Sequence, residues 1–162
     1  HYKDVPFDKI YTSSLKRTRE TVQNFIDLGI PSESLSGLNE ICWGNKEGFK
    51  ITPNEDQYYH YMLKEWQLGN TSLKIEGGES PDDVVKRMRP AVDHIMSKDN
   101  ERTILVCMHG RAIRILLCIL LDIPLKSMDT FEHENLCLYL LHYTDGTFTI
   151  KLHNDVSHLR LM

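Results

Sequence analysis

No apolar run in this sequence approaches the ~20 residues of a membrane-spanning helix, and no signal-peptide pattern is visible. A lipid bilayer is therefore not expected as a partner. Cysteine is sparse. Cys42, Cys107, Cys118 and Cys137 form no C-x-x-C pair, and three of them lie in apolar stretches. They read as buried, reduced thiols rather than as a disulfide framework. That usage suits a reducing compartment, so a cytoplasmic location is expected. Internal repeats, low-complexity tracts and an interdomain linker are also absent, and residues 1–162 read as one domain with a full core. There is no large excess of one charge either. Lys and Arg number 19 against 23 Asp and Glu, a net charge of −4. This argues against nucleic acid as the main partner. A small anionic substrate stays open, because a few local arginines outweigh the mean charge.

Several reaction motifs are missing as well. No Walker A loop, G-x-G-x-x-G, H-E-x-x-H or metal-spaced Cys/His set occurs. A cysteine phosphatase needs an arginine six positions after its cysteine. Cys107 has Ile113 there, and Arg114 comes one residue too late. No metal or cofactor is expected.

What is present alternates between strand and helix patterns. FDKIYTSS (7–14) reads as a strand ending in hydroxyls that cap a helix. The segment 15–28 carries Leu15, Val22, Phe25 and Ile26 on a helical period and stops at Gly29 and Pro31. Residues 34–44 read as a short strand entering a glycine-bounded loop, and 55–68 as a helix crowded with aromatics. GGESPDD opens another helix, with Ser80 as cap and Pro81 at its first position. Pro90 is expected to kink it. TILVCMH (103–109) reads as a strand covered on both faces, followed by the helix RAIRILLCILLDIP. LCLYLLHYTDGTFTIKLH reads as a hairpin turning at Asp145-Gly146. The pattern implies an α/β three-layer sandwich, with a mainly parallel central sheet, helices on both faces and a C-terminal β-hairpin.

Ligands of such sheets bind beyond the carboxyl ends of the strands. His109 is at one such end, and Gly110 opens the following helix, whose free N–H groups suit an anion. A histidine that merely caps a turn is an equal reading from spacing alone. A second strand end offers Ser13, Ser14 and Arg17. An arginine in a helix's first turn opposes the dipole and suggests a nearby anion. A third offers Glu40. Together they supply what phosphoryl transfer needs: cationic donors on phosphate oxygens and a proton donor for the leaving oxygen.

At these same residues the chain resembles the histidine phosphatase superfamily, also called the phosphoglycerate mutase-like family. SSLKRTRETV is similar to its S-x-L-x-R-A-x-Q-T-A segment, with Ser13, Leu15, Arg17 and Thr21 matching and Thr18, Glu20 and Val22 departing. LNEICWGNKEG resembles L-x-E-x-x-x-G-x-x-E-G through Glu40, Gly44, Glu47 and Gly48. GGES at 77–80 and VCMHGRAIR match two further segments. The resemblance implies that His109 donates to the transferring phosphoryl group and that Arg17 and the Gly110 N–H bind its oxygens. Glu40 would protonate the leaving group, which calls for a carboxyl that holds a proton near the working pH. Ser13, Glu79 and Ser80 would be supporting or pocket-edge residues. No metal is implied.

One departure is large. The family's nucleophile is the histidine of an R-H-G at the end of its first strand, and no R-H-G occurs here. That strand is expected between the strands at 7–12 and 103–108. Its absence is expected to leave two edges unpaired, as in a chain lacking its N-terminal strand and nucleophile loop. The short stretch from Gly48 to Glu76 resembles the phosphatase branch and is expected over the site. Trp66 and the tyrosines there either line it or pack a core. The implied activity is that of a metal-independent phosphomonoesterase acting on a small phosphorylated metabolite through a phosphohistidine, the nucleophile lying outside the sequence. A phosphoglycerate mutase and a catalytically inactive phospholigand-binding domain remain open. So does the assembly state, a homodimer included.

Overall fold

The run KIYT forms the middle strand of a parallel sheet. In the computed structural model, which describes residues 1–48 and 52–160, β1 (Lys9–Thr12) lies between β2 (Ser32–Ser34) and β3 (Ile104–Cys107). Both pairings are parallel, with Ile10 opposite Ser32 and Leu105. Asp8 fixes the start of the β1–β3 ladder. Its Oδ2 accepts the backbone N–H groups of Arg102 and Thr103 at 2.9 and 2.8 Å.

The helix expected after β1 is two helices, α1 (Lys16–Thr21) and α2 (Gln23–Asp27). Val22 separates them at φ −103°, ψ 10°. Its side chain is buried, and Phe25 then packs edge-on against Phe7 at 5.6 Å. α3 (Pro53–Leu68), α4 (Pro81–Met96) and α5 (Gly110–Leu120) follow the expected helices closely. Ser80 caps α4 as expected: its Oγ accepts from the Asp83 N–H at 3.1 Å, and Asp83 returns the bond to the Ser80 N–H at 3.2 Å. α4 continues through Pro90.

The described residues form two compact units. The first comprises His1–Glu40 and Lys86–Ile113, the second Ile41–Val85 and the chain from Arg114 onward. In the first unit Tyr11, Leu38 and Ala91 form the core, with Leu35, Ile95, Ile104, Val106 and Met108 packed on it. Full burial of one such leucine contributes about 1.5–3 kcal/mol. Gly37 permits a close approach. A Cβ there would lie 2.6 Å from the Arg87 carbonyl oxygen and 2.7 Å from the Ala91 Cβ. The 3-10 turn Ser36–Leu38 can therefore lie directly on α4.

In the second unit a capping box of Thr52 and Glu55 starts α3. α3 buries Met62 and Trp66. Trp43 stacks on Trp66 at 6.2 Å between centroids, and the Trp66 indole N–H donates to the Leu73 carbonyl at 2.9 Å. Trp66 is thus a core residue, whereas Tyr58 and Tyr61 are exposed. Residues 49–51 of the stretch expected over the site lie outside the described residues. β4 (Leu138–Thr144) and β5 (Thr147–Asp155) form the hairpin. Asp145 and Gly146 turn it with φ of 51° and 80°, the two positive angles of a type I′ turn.

Three expectations are corrected. No strand fits between β1 and β3, because they pair directly from Lys9↔Ile104 to Thr12↔Cys107. Their backbone groups satisfy one another, so the ladder closes without an insertion. β3 is also less enclosed than expected. Among the described residues it has one neighbouring strand, and its four side chains are only partly buried. Residues 34–44 hold a 3-10 turn rather than a strand, with β2 ending at Ser34, because Gly37 must meet α4. No helix among the described residues is long and apolar enough to cross a membrane.

Candidate active site

Parallel pairing of β1 and β3 brings the two strand ends together. The Ser13 N–H donates to the Cys107 carbonyl at 3.2 Å, one step past the Thr12–Cys107 pair. The residues that follow each strand therefore leave the sheet side by side. Ser13 and His109 are both buried there, and Ser13 Oγ lies 2.8 Å from His109 Nε2. Ser13 Oγ also accepts the Leu15 N–H at 3.1 Å and lies 2.9 Å from Thr18 Oγ1. Thr18 Oγ1 donates to the Leu15 carbonyl at 2.8 Å. On the other edge of the imidazole, Arg17 Nε donates to Nδ1 at 3.2 Å. Arg17 is exposed, in the first turn of α1.

His109 also starts α5, its carbonyl accepting the Ile113 N–H at 2.8 Å. The N–H groups of Arg111 and Ala112 donate to the two carboxylate oxygens of Glu40, at 3.1 and 2.9 Å. A carboxylate thus sits at the helix end where an anion was expected. Arg87 holds the loop that delivers it. Its Nη1 donates to the Gly37 carbonyl at 2.8 Å, and its Nη2 donates to the carbonyls of Asn39 and Glu40 at 3.0 and 3.1 Å. Asn39 Oδ1 in turn accepts both the Ser14 N–H and its hydroxyl, each at 2.8 Å.

Burial is the main influence that holds the His109 pKa below its ordinary value, and the positive charge of Arg17 adds to it. Glu40 pulls in the opposite direction, and Arg87 lowers the value further. The ring is therefore biased towards its neutral form. Burial pushes the Cys107 thiol up to about 11, which favours its protonated form. All four cysteines are free thiols.

Ser13, Arg17, Glu40, His109 and Gly110 all belong to the first unit. Glu79 and Ser80 belong to the second. There Glu79 accepts the Cys42 N–H at 3.0 Å and Ser80 caps α4. Sequence reasoning missed Arg87, Asn39 and Thr18. Thr18 had a signal, a hydroxyl where the family segment has alanine. Arg87 had none, because its partners lie 47 to 50 residues away. Among the described residues no group of three or more His, Cys, Asp or Glu is placed to hold a metal ion.

These features define an α/β protein whose strand ends gather an arginine, a histidine and a carboxylate. The chain belongs to the histidine phosphatase superfamily, branch 1, whose family model matches residues 1–156. It is 32% identical over 115 residues to the 6-phosphofructo-2-kinase/fructose-2,6-bisphosphatase of Gallus gallus, covering 70% of this chain. The chain spans only 23% of the length of that relative. It is 26% identical over 159 residues to the probable phosphoglycerate mutase GpmB of Yersinia pestis, covering 93% of this chain and 72% of that protein. The crystal structure of the alpha-ribazole phosphatase from Shigella flexneri has the same fold, with a TM-score of 0.79 at 21% identity, covering 94% of this chain and 75% of that one. The expected α/β fold, with a parallel sheet, helices and a terminal antiparallel hairpin, is the fold of this family.

Proposed function

We propose that the protein is a metal-independent phosphomonoesterase that acts on a small phosphorylated metabolite through a phosphohistidine. The observation that carries this reading is the pairing of Arg17, in the helix after β1, with His109, just past β3, at 3.2 Å, His109 also lying 2.8 Å from Ser13. An exposed guanidinium beside a buried imidazole can take the oxygens of a phosphoryl group, whose charge spreads over them in the transition state. The Gly110 N–H adds a backbone donor. The phosphatase names of a sugar-bisphosphatase relative and of a structural neighbour support a small phosphorylated substrate. The phosphoryl acceptor in this reading is the histidine of an R-H-G, a tripeptide the sequence does not contain.

Glu40 is the proposed proton donor to the leaving oxygen. Its two oxygens accept the N–H groups of Arg111 and Ala112, which hold the carboxyl at the start of α5. In this role the proton moves from Glu40 onto the leaving oxygen as the ester bond breaks.

The test is turnover of p-nitrophenyl phosphate by full-length protein, since this chain alone is expected to be inactive, compared with isomerisation of 3-phosphoglycerate, both in the presence of a chelator. Hydrolysis that persists, with Glu40→Gln losing about 10²–10⁴-fold in turnover, is expected. Robust isomerisation with negligible hydrolysis supports the mutase reading, which the resemblance to GpmB favours. Phosphate binding with neither activity supports a ligand-binding domain.

A further inference from the structure

The hydrogen bonds around His109 assign its protons. Arg17 Nε carries a hydrogen in every state, so Nδ1 must present a lone pair to it. The neutral ring then holds its hydrogen on Nε2 and donates it to Ser13 Oγ. Ser13 Oγ already accepts the Leu15 N–H. With both lone pairs taken, its own proton must point elsewhere. Thr18 Oγ1 lies 2.9 Å away and has given its proton to the Leu15 carbonyl, so it is the acceptor. The chain His109 to Ser13 to Thr18 to Leu15 runs in one direction and leaves no hydroxyl unmatched. Thr18 is 2% exposed, and it is a departure from the family segment.

In this arrangement His109 offers an anion no donor. Nε2–H is committed to Ser13, and Nδ1 has no hydrogen. We infer that Ser13 and Thr18 are positioning residues that fix the His109 tautomer, and that phosphate binding is coupled to uptake of one proton at Nδ1. The inference rests on the phosphate site proposed above. On binding, the Arg17 Nε–H bond to Nδ1 breaks and re-forms to a phosphate oxygen. Nδ1 takes a proton from solvent and donates it to a second oxygen, while Nε2–H stays on Ser13. The charged groups facing the ring are Arg17 from α1, Arg87 from α4 and Glu40 from the loop before the second unit. The two arginines oppose the imidazolium in the free protein. An added phosphate dianion outweighs them.

Thr18 makes this sensitive to substitution. Without an acceptor at position 18, the Ser13 hydroxyl turns to Nε2, the ring proton moves to Nδ1, and Arg17 loses its partner. Histidine 15N NMR at about pH 8, above the ordinary histidine range, tests this with inorganic phosphate as the probe. In the free protein Nδ1 is expected in the unprotonated range and Nε2 in the protonated range. Saturating phosphate should bring Nδ1 into the protonated range. Thr18→Val should exchange the two nitrogens in the free protein, and Thr18→Ser should restore the original pattern. If Nδ1 stays unprotonated while the 31P signal reports bound phosphate, the proton coupling is overturned and the phosphate site stands. If the 31P signal never responds to the protein, the phosphate site itself falls and the coupling with it. Unaltered nitrogen shifts in Thr18→Val overturn the positioning role.

Discussion

Arg17 Nε donates to His109 Nδ1 across 3.2 Å, tying the first turn of α1 to the end of β3. A cation in a helix's first turn is unfavourable to the helix itself. The imidazole lone pair gives this one a partner, and in the proposed site a phosphate would replace it.

Arg87 holds the loop that carries Glu40. Its three bonds reach the carbonyls of Gly37, Asn39 and Glu40. If Glu40 is the proton donor as proposed, Arg87→Ala is expected to lower kcat about 10-fold or more while leaving KM nearly unchanged, because a misplaced donor affects the transition state most. Steady-state kinetics on p-nitrophenyl phosphate measure it. A change confined to KM would place Arg87 in ground-state binding instead.

The depressed pKa of His109 has a consequence for stability. The unfolded chain binds the histidine proton near 6.5, and the folded protein binds it only at lower pH. Between those two values the unfolded state holds more protons, so stability rises with pH there. The contribution is complete above 6.5 and is lost as pH falls towards the folded pKa. Urea denaturation of the protein and of His109→Asn, across about pH 5 to 7, isolates it. The stability difference between the two should shrink on acidification.

Gly37→Ala places a methyl 2.6 Å from a backbone carbonyl on α4 and 2.7 Å from Ala91. Neither neighbour is the far end of a flexible chain. The substitution is expected to destabilise by about 1–3 kcal/mol. Urea titration reads this directly, and a midpoint equal to that of the parent protein would mean that the turn can move off the helix.

Much of the fold was legible because its signals are local. The hydroxyls after KIYT, the Ser80-Pro81 helix start and the Asp145-Gly146 turn each act within four residues of themselves. The candidate site residues Arg17 and His109 drew notice because each comes shortly after a strand. Strand adjacency was not. The sequence order of β1 and β3 does not say whether another strand lies between them, and only the ladder from Lys9 to Thr12 decides it. Nor were the partners of Glu40, which include backbone N–H groups 71 and 72 residues away. The break at Val22 escaped notice because a helical period survives one distorted residue.

The central claim is a phosphate site built on Arg17 and His109, and calorimetric titration with inorganic phosphate tests it most directly. Arg17→Ala should weaken binding about 10- to 100-fold, the loss of a charge-assisted bond worth about 1.5–3 kcal/mol. Arg17→Lys should recover only part of that, since an ammonium lacks the planar fork. Equal affinity in Arg17→Ala and the parent protein would contradict the account.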